Sequence, residues 1–238
     1  MKSLKVLDMN DNGIEEIPFR FNPSLSLEEL YLNHNKIRYI PDVIFDMKSL
    51  KILSIFDNWI ASTLSSKIGQ LKSLEVLDLE TNFLTGQIPD ELFQVTSLKE
   101  IWMYGNMLTG QISPNFSKMT NLNVLDLSQN RISGELPTQI GMFQNITELY
   151  LQNNMISGQL PTELSDLTSL RILDLSMNYL NSDIISEIGS LQNLVSLRFD
   201  HNYRLDENST LISSGITGTI PSSIGKLKLL SKFGIFSI

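Results

Sequence analysis

Histidine and cysteine are the side chains that most often hold transition metals or supply a base and nucleophile near neutral pH. This chain of 238 residues has 2 histidines and no cysteine. His34 and His201 lie far apart in sequence, and neither an H-E-x-x-H motif nor a Cys/His cluster surrounds them. The residues therefore predict no metal site and no cofactor. Asp8-Met9-Asn10-Asp11-Asn12-Gly13 imitates the opening of a calcium loop, but Phe19 stands where the bidentate glutamate belongs. Gly218 to Lys226 holds glycines and a lysine at the wrong spacing for a phosphate-binding loop, and Leu227 replaces its Ser or Thr. Serines and carboxylates are plentiful, yet none is set beside a base in a nucleophile pattern, so the expectation is a protein that is not an enzyme.

The elements that position these residues follow from a repeat. Leu74-Glu75-Val76-Leu77-Asp78-Leu79-Glu80-Thr81-Asn82, Leu122-Asn123-Val124-Leu125-Asp126-Leu127-Ser128-Gln129-Asn130 and Leu170-Arg171-Ile172-Leu173-Asp174-Leu175-Ser176-Met177-Asn178 all read L-x-x-L-x-L-x-x-N. Within x-L-x-L-x, alternate residues point to opposite faces, which predicts a short strand with one buried side. Most units continue as in Leu84-Thr85-Gly86-Gln87-Ile88-Pro89 or Ile132-Ser133-Gly134-Glu135-Leu136-Pro137. A third apolar stripe follows at Leu92, Phe116, Ile140, Leu164, Ile188 and Ile224. The unit length is about 24 residues, and about nine full repeats and a partial one fill the chain. Each unit buries little alone, so neighbours must stack.

This pattern resembles the leucine-rich repeat family, and its L-x-G-x-I-P half resembles the plant-type subclass found in receptor-like kinase ectodomains and secreted recognition proteins. The resemblance implies an α/β, right-handed solenoid, a curved horseshoe with a concave parallel β-sheet and short 3-10 or helical convex turns. A single repeat domain over 1–238 is expected, read as an uncapped fragment of a longer array. The first two units, around Asn12 and Asn35, lack the L-x-G step and look like the typical subclass. Ser62 and Ser65, Ser113, and Ser182 with Ile185 replace the usual glycine or proline in later units, predicting less regular second strands. A polar insertion near 203–215 interrupts the register and is expected to project as a loop.

Asn12, Asn35, Asn58, Asn82, Asn106, Asn130, Asn154, Asn178 and Asn202 recur where each strand ends. An amide donates and accepts at once, so these residues are expected to form a structural ladder satisfying turn backbone groups. The outward strand positions face the concave side. There the departures from the common L-D-L form are Phe56, Trp102, Tyr104, Tyr150 and Arg198, flanked by Asp78, Glu80 and Asp126. Exposed aromatics anchor interfaces, and the carboxylates favour a partner bearing basic groups. These eight residues are the expected binding surface for a protein or peptide ligand, with Trp102 and Tyr104 as its hot spots.

The net charge of -8 disfavours nucleic acid and anionic lipid. No apolar run approaches the length of a membrane span, and the first residues lack the apolar core of a secretory signal. Asn115, Asn145 and Asn208 open N-x-S/T sequons and are the expected glycosylation sites. The subclass resemblance implies the ligand-binding part of a cell-surface or secreted receptor-type protein. The alternative is an intracellular scaffold for protein–protein interaction.

Overall fold

The computed structural model describes residues 3–17, 26–205, 211–213 and 215–235. Ten three-residue strands form one parallel sheet in chain order: Val6–Asp8, Glu29–Tyr31, Ile52–Ser54, Val76–Asp78, Glu100–Trp102, Val124–Asp126, Glu148–Tyr150, Ile172–Asp174, Ser196–Arg198 and Lys232–Gly234. The strands are short because the inward positions alternate with outward ones for only one cycle before the asparagine ends the ladder. The central inward residues Leu53, Leu77, Ile101, Leu125, Leu149 and Leu173 lie abreast and are buried. Register is uniform: Leu pairs with Leu or Ile in every step from Leu30 to Leu197. The fold is the solenoid that the resemblance to the leucine-rich repeat family implies.

On the opposite side every helical element among the described residues is a 3-10 helix of 5 residues, from Asp42–Asp46 to Ser222–Lys226, with no α-helix. Each follows an extended residue with φ near −65°. Proline fits that position at Pro41, Pro89, Pro137, Pro161 and Pro221. Where serine replaces it, at Ser65 and Ser113, the hydroxyl accepts a hydrogen bond from the N–H two residues on. These apparent breaks in the motif thus become caps. Between the layers runs an aromatic spine, with Phe93 and Phe116 ring centroids 4.5 Å apart and Phe143 6.2 Å beyond Phe116.

Successive 3-10 turns approach so closely that three glycines are obligatory, Gly69, Gly141 and Gly189, with a Cβ on Gly141 running into the Glu163 carbonyl oxygen. A Cβ on Gly189 would sit 2.6 Å from the Ser223 carbonyl oxygen, and one on Gly69 would sit 2.7 Å from that of Glu91. None of these clashes can be relieved by moving a side chain, because the obstructing atom is backbone.

The second strand of each unit is uneven, as the substitutions imply. The third unit contributes only a bridge, Thr63 to Thr85. Ser133–Glu135, Met155–Gly158 and Tyr179–Leu180 form a three-stranded parallel sheet. The insertion near 203–215, expected to project as a loop, has paired strands at its described ends. Arg204–Leu205 and Leu211–Ser213 pair antiparallel as the stem of a hairpin, and Ser182–Asp183 pairs directly with Ile216–Thr217 beyond it. The insertion therefore closes on itself, and the next unit rejoins its neighbour in register.

Candidate functional site

The parallel register sets side chains of one repeat position abreast. Asp78, Trp102, Asp126, Tyr150 and Asp174 occupy consecutive strands. With strands about 4.8 Å apart, Trp102 and Tyr150 stand roughly 10 Å from each other on either side of Asp126. Both rings are tethered. Trp102 Nε1 donates to Glu100 Oε2 at 3.0 Å, and the Tyr150 hydroxyl donates to Glu148 Oε2 at 2.9 Å. Tyr31 repeats the arrangement with Glu29. The glutamates were absent from the expected site, although Glu-x-aromatic spacing places both residues on one face of a strand.

The expectation that these aromatics are exposed is corrected. Phe56, Trp102, Tyr104 and Tyr150 are all half-buried, because side chains of the adjacent strands flank them closely. Phe56 meets the His34 ring edge-on with centroids 4.7 Å apart.

The aspartates have a second use that the common L-D-L form concealed. One oxygen of Asp78, Asp126 and Asp174 accepts the backbone N–H two residues on, closing the turn at the strand's end. In Asp126 and Asp174 the same oxygen also accepts the hydroxyl of Ser128 or Ser176. Asp126, expected as an exposed carboxylate, is buried at 9% relative exposure. Arg198, expected to face a partner, is held within the chain. Its Nε and Nη2 donate to the two Asp200 oxygens at 3.0 and 2.8 Å, and its Nη1 donates to Asp174 Oδ2 at 3.3 Å. An open depression of about 560 Å³ lies beside it, lined by Tyr150, Asp174, Ser196 and Arg198 among others.

Burial pushes the carboxyls of Asp78 and Asp126 up. Glu80 is moved to about 7, by burial first and then by repulsion from Asp78 and Asp126. Burial and the Glu148 carboxylate raise the Tyr150 phenol, which stays protonated and donating. Glu80 gives a pH prediction. Its folded value lies above the ordinary 4.5, so the folded state binds this proton more tightly than the unfolded chain does. That contribution to stability is present below pH 4.5 and is lost as pH rises to about 7. Glu80→Gln is expected to gain on the parent protein by about 1 kcal/mol between pH 5 and pH 8, after discounting for solvent at a half-exposed group. Urea denaturation at both pH values checks this, and an unchanged difference contradicts it.

The histidines have a backbone explanation. His34 and His201 adopt φ of 54° and 60°, and Asp11, Asp57, Thr81, Gln129, Asn153 and Met177 are also left-handed. All immediately precede a ladder asparagine. In the fifth unit Gly105 fills this position, with φ of 67°. Histidine tolerates that conformation better than most residues. His34 Nδ1 lies 2.7 Å from Asp57 Oδ2, and His201 Nδ1 lies 3.0 Å from Asp200 Oδ2. Among the described residues no three His, Cys, Asp or Glu side chains are grouped to hold a metal.

The asparagines are bonded across units. Asn130 Nδ2 lies within hydrogen-bond distance of the carbonyls of Met103, Leu127 and Ser128, and its Oδ1 accepts from Leu108 N–H. Asn58, Asn82, Asn106, Asn154 and Asn178 repeat this pattern. Asn35 and Asn202 likewise reach the carbonyls of Met9 and Leu175 in the preceding unit. Asn12, in the first unit, is exposed and, among the described residues, bonds only within its own turn. Of the sequon asparagines, Asn115 is half-buried and lies near Asp90, with Nδ2 3.4 Å from Oδ1. Asn145 is exposed, but its Nδ2 donates to Thr120 O at 2.7 Å. Asn208 lies outside the described residues.

No helix among the described residues is long and apolar enough to cross a membrane. A leucine-rich repeat protein of Leptospira interrogans superposes with a TM-score of 0.80 at 33% identity, over 96% of this chain and 54% of that one. The Arabidopsis receptor kinase HAESA, solved in complex with the peptide hormone IDA and the co-receptor SERK1, gives 0.75 at 29% identity, over 99% of this chain and 42% of that one. Mouse podocan is 39% identical over 89 residues, 36% of this chain. The chain spans 14% of podocan's length. The family profile described as Leucine Rich repeats (2 copies) matches residues 2–44, and that described as Leucine Rich Repeat matches 73–95, 97–119, 121–143, 145–167 and 169–191. Those segments cover more than half of the sequence, and the chain belongs to the leucine-rich repeat family.

Proposed function

We propose that this chain is a non-catalytic recognition module whose concave face binds a peptide or protein segment. We further propose that it serves as the ligand-binding part of a cell-surface or secreted receptor-type protein. The observation that carries the reading is the row Asp78, Trp102, Asp126, Tyr150 and Asp174 on five consecutive strands. It offers half-buried rings alternating with carboxylates, a surface suited to an extended partner bearing basic groups. Tyr104 and Glu80 extend it one position along their strands, and Phe56 borders it. The similarity to HAESA, solved with a peptide hormone bound, supports the ligand class. Asn115 and Asn145 are the proposed glycan sites of the surface form.

A second reading, an intracellular scaffold using the same face, draws on the first two units, which lack the L-x-G step and match a different profile. Glycans on the native protein separate the two readings.

The binding test uses peptides selected on the intact chain from a random phage-displayed library. Trp102→Ala and Tyr104→Ala are each expected to weaken the selected peptides at least about tenfold, as interface aromatics do. Unchanged affinity in both variants overturns the placement.

A further inference from the structure

Three aspartates of the concave row share one design on their first oxygen and differ on the second. Asp78 Oδ2 accepts the Ser54 hydroxyl at 2.8 Å. Asp174 Oδ2 faces the Arg198 guanidinium at 3.3 Å. Asp126 Oδ2 receives no hydrogen bond among the described residues, although Asp126 is buried and its other oxygen is doubly used. Asp126 Oδ2 is not among the described polar atoms sealed from solvent, so it is open to a ligand, and a cation placed on a carboxylate in this largely desolvated position is attracted more strongly than one at a fully exposed carboxylate.

We propose that Trp102, Asp126 and Tyr150 form a seat for one arginine side chain of a peptide ligand, with the carboxylate as floor and the two rings as walls. The inference rests on the concave face being the binding surface. Trp102 and Tyr150 are the direct strand neighbours of Asp126 on its two sides. A group midway between rings roughly 10 Å apart lies about 5 Å from each, within the reach of a cation–π contact. Their polar atoms are bonded to Glu100 and Glu148, which fixes both rings in place before a ligand arrives.

The chain also builds this arrangement once from its own residues. Arg198 and Tyr150 occupy the strands on either side of Asp174, with the guanidinium against the carboxylate. Gln152, two residues beyond Tyr150, has an enclosed Oε1 with no hydrogen-bond partner among the described residues. A planar guanidinium has donors for the carboxylate and a face for the rings, which an ammonium lacks. Burial without a cation raises the Asp126 carboxyl, and seating one would lower it again.

The test titrates the intact protein with acetyl-Gly-Arg-Gly-amide, its lysine counterpart and its citrulline counterpart. NMR follows the Trp102 Nε1–H and the Asp126 carboxyl carbon. The expected result is saturable binding of the arginine peptide that moves both signals, with the citrulline peptide at least tenfold weaker and the lysine peptide weaker than arginine. Asp126→Asn retains an acceptor for Ser128 and is expected to weaken arginine binding at least tenfold. Tyr150→Leu, which leaves Asp126 intact, is expected to weaken it severalfold. Equal binding of citrulline, or unchanged affinity in both variants, overturns the seat. Lysine equal to arginine overturns the guanidinium assignment. Shifts confined to Tyr104 and Glu80, insensitive to Asp126→Asn, overturn the seat while leaving the concave face as the binding surface. Shifts confined to the 3-10 turns overturn both.

Discussion

Asn130→Leu is expected to destabilise the protein by about 4 kcal/mol, the sum of several buried polar groups each losing a partner worth about 1–3 kcal/mol. Leucine matches asparagine in shape, so the change isolates hydrogen bonding from volume. The buried Leu108 N–H loses its acceptor, and the carbonyls of Met103, Leu127 and Ser128 lose the amide donor. Two of these partners, Met103 and Leu108, belong to the preceding unit, so the loss falls on the joint between repeats, where a solenoid's stability resides. For a chain of this size, about 4 kcal/mol corresponds to a drop in Tm on the order of 10 °C. Asn12→Leu is the control. That residue is exposed and, among the described residues, bonds only to Met9 and Asn10 within its own turn, and its loss should remain below about 1 kcal/mol. Equal destabilisation by the two substitutions, measured by urea denaturation, contradicts the ladder as the source of stability.

The next largest effect is expected at Leu125. Its side chain is buried at 1% exposure, in register between Ile101 and Leu149. Leu125→Ala removes apolar contacts and leaves a cavity that the adjacent strands cannot close, because both are fixed by ladder bonds. The expected destabilisation is about 3 kcal/mol. Leu7, half-buried in the first strand, should lose less than half as much on the same substitution, since solvent already reaches it. Leu125→Val should lie between parent and alanine. A Leu7→Ala effect as large as that at Leu125 contradicts a core organised around the central strands.

Much of the fold was legible because the repeat states each residue's environment many times. Leu125, Leu149 and Leu173 carry the same message, and errors in one unit are outvoted by the rest. The features that escaped are those in which one residue type serves two purposes. Asp126 reads as an outward carboxylate, and it is one, but the N–H and hydroxyl of Ser128 draw it into the turn. The Asp-x-Ser spacing in Asp126-Leu127-Ser128 and Asp174-Leu175-Ser176 was the available signal. Glu100 and Glu148 escaped for a similar reason: a strand position preceding the leucine looks like a solvated edge until the tryptophan or tyrosine two residues on turns back to it. Arg198 reads as a free cation although the Arg-x-Asp spacing to Asp200 was a local signal, and its further bond to Asp174 in another unit shows only in the parallel register. Gly69 and Gly189 follow an isoleucine in the third stripe, but nothing in the local sequence announces that a neighbouring carbonyl will press against them.

The concave sheet is the proposed ligand-binding surface. The most direct measurement is amide hydrogen exchange of the intact chain with and without a saturating library-selected peptide, read segment by segment. Binding on the sheet predicts added protection at the ends of the strands Val76–Asp78, Glu100–Trp102, Val124–Asp126 and Glu148–Tyr150, including the N–H groups of Tyr104 and Gln152, with the 3-10 turns unchanged. Protection confined to the turns from Asp90–Gln94 to Thr162–Asp166, with those strands unaffected, would contradict it.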